Sequence, residues 1–381
     1  MKTVLVFVPN YFPGYKSGGV ARTVLNTTEW LSSDFRFFIV TRDRDLGSDV
    51  PYENIESGTW VPFGKARVRY LKPDELSLDS LAELVRSTAH DILHLNGFFD
   101  PVFTIKLLLL RRLKKISPRR VLLSPRGDFL NGSLRLKYPK KKLYIELSRI
   151  AGFYKKLCLH GSTRHEADSI AAALRVPVSS VRTAIDLPIK EASFAAQADA
   201  SSERLRVVYL SRMSREKNLD GALKVLQRVK TPIVFDMIGP QEDPVYWEEC
   251  RALLSQLPGN VEANYLGPVA PEEVFDTLAR YDVFLFPSHN ENYGHVIAES
   301  VAVGTRVLIG QGTPWRNLDS DGLGWDIDLK DVQRFVDVIE TLSRQSPAER
   351  AAVRSSVREA AAARLSHPAA LEDNRLLYLN A

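Results

Sequence analysis

The sequence predicts an α/β protein built from two doubly wound, Rossmann-like halves. Three observations carry this. The chain has 381 residues, more than one hydrophobic core ordinarily serves, and two domains of about 150 to 200 residues each are expected at this length. Short apolar runs alternate with amphipathic stretches of helical spacing, the pattern of parallel strands joined by crossover helices. Polar loops rich in glycine or in charge follow several of the apolar runs, at the carboxyl ends of strands, where doubly wound sheets place their ligands.

Composition narrows the class. A hydrophobic content of 45% and a charged content of 25% are those of an ordinary soluble globular protein. Cys158 and Cys250 are the two cysteines and have no paired spacing, so neither a disulfide framework nor a zinc site is expected, which favours a reducing compartment. The first apolar run, Val4 to Val8, stops at Pro9-Asn10 and is too short for a signal peptide. No stretch approaches the eighteen or so apolar residues that a membrane span needs. A cytoplasmic protein is expected, peripheral on the cytoplasmic face of the inner membrane if it touches lipid at all.

In the first half, residues 3–8 read as a buried strand that leads into a loop ending at Gly18-Gly19, and a helix follows with Val20, Val24, Leu25 and Leu31 among its apolar positions. Glycines at a helix start let a ligand approach backbone N–H groups closely; a plain flexible loop is the other reading, since this is not a GxGxxG fingerprint. Residues 35–41 and 67–71 read as strands. His90 to Phe99 is a strand running into a turn, with His94 assigned to the core and Asn96 and Gly97 at the tip. Val121 to Asp128 is the next strand and tip. There Arg126 either meets an acceptor phosphate or pairs with Asp128. Cys158 to Ile170 reads as strand, capped turn and helix.

Residues 187–203 read as a linker, because Pro, Ala, Ser and charged residues dominate without periodicity. The second half opens with a strand at 205–210, the loop Ser211 to Asn218, and a helix bearing Leu219, Ala222, Leu223, Leu226 and Val229 on one face. Arg212 and Lys217 then lie at a strand's carboxyl end, where two cations neutralise a diphosphate, Arg through its fork and Lys as a point charge. Residues 233–239 and 261–267 are further strands. Val283 to Phe286 is a buried strand, and Thr305 to Gly310 the strand after it. Between them Glu291 lies in a polar turn, Asn292, Tyr293, Gly294 and His295 lead into a helix, and Glu299 follows about two turns on. The N–H groups and positive dipole end of such a helix face anionic ligands. Residues 347–365 read as helix, and Trp315 either stacks on a ligand or covers its loop.

Glu291 and Glu299 are separated by seven residues, and together with Asn-Tyr-Gly between them, Gly304 after them and Arg212-x4-Lys217-Asn218 before them they resemble the retaining glycosyltransferases of family 4. The likeness spans nearly the whole chain, weakest over 42–85 and strongest over 205–315. It implies the GT-B fold, two Rossmann-like domains facing each other across a cleft: 1–186 on the acceptor side, linker 187–203, 204–364 for the nucleotide sugar, and a segment 365–381 expected to pack back on the first domain. It implies that Arg212 and Lys217 meet the diphosphate and Glu291 the sugar hydroxyls, as the catalytic set. Gly18, Gly19, Asn292, Tyr293, Gly294 and Glu299 would contact the donor, Glu299 at the ribose. Asn96 and Arg126 are candidates on the acceptor side. The implied activity is retaining, metal-independent transfer of a sugar from a nucleoside diphosphate sugar to a hydroxyl of a glycan or lipid-linked acceptor in bacterial exopolysaccharide, capsule or lipopolysaccharide synthesis, with no cofactor beyond the donor. Relatives often carry a His near 126; Ser-Pro-Arg-Gly stands here, and no catalytic His is placed. A nucleotide-sugar epimerase of the same fold, or a non-catalytic nucleotide-sugar-binding relative, is the alternative.

One block stands apart. From Lys106 to Lys156 there are 16 Lys and Arg against only Asp128 and Glu146. Its local charge of +14, in a chain of net +5, leaves −9 for the remainder. This is an electrostatic footprint for phosphate-rich partners. Residues 140–156 have helical spacing with basic ends, read either as a domain helix with Lys stems on its wet side or as a contact with an anionic membrane surface. No nucleic-acid motif occurs, and no nucleic-acid partner is expected.

Overall fold

The structure, a computed structural model, describes residues 1–14, 18–129, 138–190, 202–366 and 368–381, the side chain of Tyr138 excepted. Residues 15–17 of the first glycine loop, 130–137 of the basic block and 191–201 of the expected linker lie outside the described residues. The chain divides into two compact units, one of residues 1–190 with 367–381, the other of residues 191–366.

The first unit contains β1 (Lys2–Phe7), α1 (Gly19–Leu31), β2 (Phe35–Arg42), β3 (Trp60–Phe63), β4 (Ala66–Leu71), α2 (Leu78–Ser87), β5 (Ile92–Asn96), α3 (Leu107–Arg112), β6 (Val121–Ser124), α4 (Tyr138–Ile150), β7 (Cys158–Gly161), α5 (Arg164–Leu174) and β8 (Val181–Thr183). Its sheet runs in the order β3-β4-β2-β1-β5-β6-β7-β8. All pairings are parallel except β3 against β4. Val4, Leu5, Val6 and Phe7 are all buried, as a central parallel strand covered on both faces requires.

The second unit contains β9 (Leu205–Leu210), α6 (Leu219–Leu226), β10 (Ile233–Ile238), α7 (Pro244–Leu254), β11 (Val261–Gly267), α8 (Val274–Ala279), β12 (Val283–Phe286), α9 (His295–Ala302), β13 (Arg306–Gly310), β14 (Gly324–Ile327), α10 (Val332–Ser343) and α11 (Pro347–Leu365). Its strand order is β11-β10-β9-β12-β13-β14, every pair parallel. The chain steps outward in one direction from β9 and then in the other from β12. Between those two strands lies the topological switch point, where the flanking crossovers diverge and leave a crevice at the carboxyl ends. In the first unit the switch point falls between β1 and β5.

The last helix, α12 (Pro368–Leu379), belongs to the first unit. Tyr378 packs its ring 5.4 Å from Phe35 and 5.8 Å from Phe37, and Asn374 Nδ2 donates to the Ile185 carbonyl at 2.7 Å. One expectation needs correction. The helix expected over 140–156 ends at Ile150, and the chain turns through Gly152 at φ +75°, a left-handed conformation that glycine adopts without strain. At the start of the expected linker Leu187 is buried, and the carbonyls of Leu187 and Pro188 accept from Asn26 Nδ2 and Trp30 Nε1 of α1, each at 2.9 Å.

Candidate functional site

The switch point of the second sheet gathers the loop after β9 and the loop after β12. Lys217 Nζ lies 2.5 Å from Glu291 Oε1, and Ser288 Oγ donates to the same oxygen at 3.0 Å. The two charged side chains are 74 positions apart in sequence and only 13% and 12% exposed. Asn218 explains how they are held. It sits in the left-handed conformation as the cap of α6, accepts from the Gly221 N–H at 3.2 Å, and donates its amide to the Pro287 carbonyl at 2.8 Å. The His289 N–H donates to the Glu216 carbonyl at 3.0 Å. Beneath, the buried Tyr209 hydroxyl donates to the Lys217 carbonyl at 3.2 Å. One loop is thus laced to the other through backbone groups, and the half-buried Lys–Glu pair is the side-chain end of that lacing.

Arg212 lies at the same sheet end. Its Nη1 reaches both oxygens of Glu242 at 2.7 Å. Among the described residues these bonds run through one terminal nitrogen of a guanidinium with five N–H donors. The Ser211 carbonyl lies so close to Gly239 that a Cβ there would come within 1.9 Å of it, and Gly239 has φ +138°. Only glycine lets the β10 tip press against the arginine loop.

The helix start behind Glu291 is built for close approach. Gly294 caps α9 at φ +86°, and a Cβ there would lie 2.8 Å from Ile297 Cδ1. Its carbonyl accepts from the Ile297 and Ala298 N–H groups. A glycine cap offers no side-chain oxygen to the first-turn N–H groups, and no acidic residue stands in that turn, so the positive end of the helix is not neutralised from within. Trp315 is buried, donating Nε1 to the Tyr293 carbonyl at 2.7 Å. Of the two readings of this side chain, the structure selects the one that fixes the loop. Tyr293 and Glu299 are both buried, with Glu299 in the second turn of α9.

The first unit's switch point differs. Gly18 caps α1 at φ +71°, with Gly19 the first helical residue. Asn96 is buried: its Nδ2 donates to the Phe7 carbonyl at 3.3 Å, and its Oδ1 accepts from Arg126 Nε at 2.9 Å. Arg126 Nη1 pairs with Asp186 Oδ1 at 2.7 Å, the two side chains 6% and 5% exposed. Of the two readings of Arg126, the pairing with Asp128 is corrected, since its ion-pair partner is Asp186. Asp128 instead accepts from the Phe98 N–H at 2.6 Å and more weakly from that of Phe99. Asn96 and Arg126, the candidates on the acceptor side, are bonded to each other in this structure. Sequence reading also missed Glu166, buried on α5, whose carboxylate accepts from the Gly127 and Ser162 N–H groups at 2.5 and 2.7 Å. Burial pushes the carboxyl groups of Asp128 and Glu166 up, against the lowering effect of these backbone bonds.

His94 joins a buried chain. Tyr378 Oη lies 3.0 Å from His94 Nδ1, His94 Nε2 lies 3.0 Å from Ser124 Oγ, Ser124 Oγ lies 2.8 Å from His160 Nδ1, and His160 Nε2 lies 2.9 Å from the Ala184 carbonyl. A carbonyl only accepts, so His160 Nε2 carries a hydrogen and its Nδ1 accepts from Ser124. Ser124 then accepts from His94 Nε2, and Tyr378 donates to His94 Nδ1. Both rings are neutral. Burial, with Arg126 nearby, lowers both, His160 to about 4.

Residues 191–360 match the family described as Glycosyl transferases group 1. An uncharacterised 41.2 kDa protein of the cps region of Klebsiella pneumoniae is 22% identical over 258 residues, 66% of this chain and 69% of that protein. Anabaena HepE, solved in complex with UDP-glucose, superposes with a TM-score of 0.70 at 14% identity over 100% of this chain and 99% of its own. Sucrose-phosphate synthase from Thermosynechococcus elongatus does so with a TM-score of 0.71 at 15% identity, again over 100% and 99%. The two parallel-sheet units have the GT-B fold.

Proposed function

We propose that the chain is a glycosyltransferase that moves a sugar from a nucleoside diphosphate donor to a hydroxyl of a glycan or lipid-linked saccharide, in the synthesis of a bacterial surface polysaccharide. The match of residues 191–360 to group 1 glycosyl transferases supports the activity class. The bound UDP-glucose of Anabaena HepE supports a nucleotide-sugar donor. The cps-region relative supports the pathway. The observation that carries the reading is the convergence of Lys217, Glu291 and the glycine-capped start of α9 at the switch point of the second sheet.

Cleaving a sugar from a nucleoside diphosphate leaves negative charge on the leaving phosphate. A lysine ammonium has three N–H donors, so Lys217 keeps its bond to Glu291 while offering another to a phosphate oxygen. The α9 N–H groups and Arg212 meet the remaining oxygens, and charge is stabilised where it develops. Glu291, fixed by Lys217 and Ser288, accepts from sugar hydroxyls, and Glu299 from the ribose. Attack occurs on the face the phosphate leaves, with that phosphate taking the acceptor proton, so the anomeric configuration is retained. With two cations and a helix end in place, no metal is required, and chelation leaves turnover unchanged.

The test is thermal stabilisation by UDP, GDP, ADP and dTDP sugars. One nucleotide class is expected to raise the melting temperature of the wild type and not of Glu299→Ala. No shift with any donor, or a shift that survives both Glu299→Ala and Lys217→Ala, would overturn the reading.

A further inference from the structure

Helix α4 is amphipathic the wrong way round for a domain helix. Ile145 and Ser148 are buried, yet Leu143, Leu147 and Ile150 are 60%, 57% and 77% exposed. Their spacing of four and three residues puts them in one stripe on the face opposite the core. The inward side is fully engaged: Tyr144 lies 5.9 Å from Phe98 and 6.0 Å from Phe99, and Lys141 Nζ lies 4.7 Å above the Phe99 ring. The stripe is therefore not a core face turned slightly outward.

A second apolar side chain joins it. The basic end of α3 is clamped to the turn after α4, Arg112 Nε donating to the Ala151 carbonyl at 2.7 Å and Arg111 Nη2 to the Lys155 carbonyl at 3.0 Å. This brings Leu113, 57% exposed, to the Ile150 end of the stripe. Exposed cations surround these residues: Lys140 and Lys142 on α4, Arg112, Lys114 and Lys115 at the end of α3, and Lys155 and Lys156 in the turn. The one acid on α4, Glu146, is bonded to Arg149 and Arg175, which hold its carboxyl below the usual range.

We propose that this face lies on an anionic lipid bilayer, with Leu113, Leu143, Leu147 and Ile150 inserted among the acyl chains at the headgroup boundary and the surrounding Lys and Arg on lipid phosphates. Aliphatic side chains gain from burial in lipid, and cations beside them gain from a negative surface. A second copy of the chain would bring like charge against like charge. Nucleic acid would use aromatic side chains for stacking, and in α4 the aromatic Tyr144 is turned inward. The proposal is independent of the donor site and extends the function only in bringing the enzyme to where a lipid-linked acceptor resides.

The test is co-sedimentation of the full chain with vesicles of phosphatidylglycerol and phosphatidylethanolamine, against vesicles of phosphatidylcholine. Binding to the anionic vesicles that weakens with added salt is expected, and the variant Leu143→Ser/Leu147→Ser/Ile150→Ser is expected to lose about tenfold or more in partitioning while its melting temperature stays at the wild-type value. No binding at low salt, binding untouched by the triple substitution, or a dimer in solution that the substitution dissociates would each overturn it. The nucleotide-sugar panel reads the donor site separately, so failure of one proposal leaves the other standing.

Discussion

The two sheets share a strand logic, each wound outward from its first strand in both directions, yet their carboxyl ends spend charge in opposite ways. In the first unit Arg126, Asp186, Asn96, His94 and His160 are buried and bonded to one another or to backbone. In the second, Lys217–Glu291 and Arg212–Glu242 pair at 13%, 12%, 28% and 38% exposure. A buried pair is bound to its partner by the cost of leaving either charge alone in a low dielectric. A pair nearer solvent, as Arg212–Glu242 is, exchanges partners at lower cost, because water or a ligand replaces what is given up. One end bonds its charges inward, the other pairs them nearer solvent.

Arg126→Ala tests the inward-bonded half most severely. It leaves Asp186 buried without its cation and is expected to cost about 3–5 kcal/mol of stability, measured by urea unfolding; an unchanged midpoint with weakened acceptor use would return Arg126 to the acceptor side. Lys217→Ala tests the other half. Turnover is expected to fall about a hundred- to thousandfold in a protein that still unfolds cooperatively, whereas near-normal turnover would remove Lys217 from the reaction. Gly294→Ala combines a left-handed backbone with the 2.8 Å approach to Ile297, and about 1–3 kcal/mol of strain is expected. Donor affinity should drop with it, read by titration of the thermal shift.

The histidine chain gives the comparison a pH axis. The His160 value falls from 6.5 in the unfolded chain to about 4 in the fold, so between those values the unfolded chain binds a proton that the fold refuses. Stability of the first unit is complete above pH 6.5 and declines as pH falls through this window. Unfolding midpoints measured across it should drop, with a shallower slope in His160→Gln. The smallest effect belongs to Glu242→Gln. Its exposed pair with Arg212 is expected to contribute less than about 1 kcal/mol, so stability should hold while the freed guanidinium tightens anionic ligand binding.

Much of the architecture is legible along the chain. The apolar runs at 205–210 and 283–286 coincide with β9 and β12, and residues 347–365 with α11, because a strand buried on both faces and a long alanine-rich helix each declare themselves within a few residues. The short edge strands β3 and β14 left no such mark, since an edge strand needs little apolar sequence. In the basic block the helix was legible but its outward face was not. Spacing alone does not say which stripe of α4 meets the core, and the aromatic cluster of Phe98, Phe99 and Phe129 that fixes this comes from the turns after β5 and β6.

What the sequence determined by itself is where the central strands end and which polar residues stand at their tips, because burial patterns are local. What only the tertiary structure decided is the partner of each charge. Arg126 had Asp128 two residues away and is bound to Asp186, 60 residues on; Lys217 is bound to Glu291, 74 residues on. A long polar side chain pairs with whatever the fold brings within reach, and in a doubly wound sheet the nearest neighbours at a strand tip are contributed by other strands.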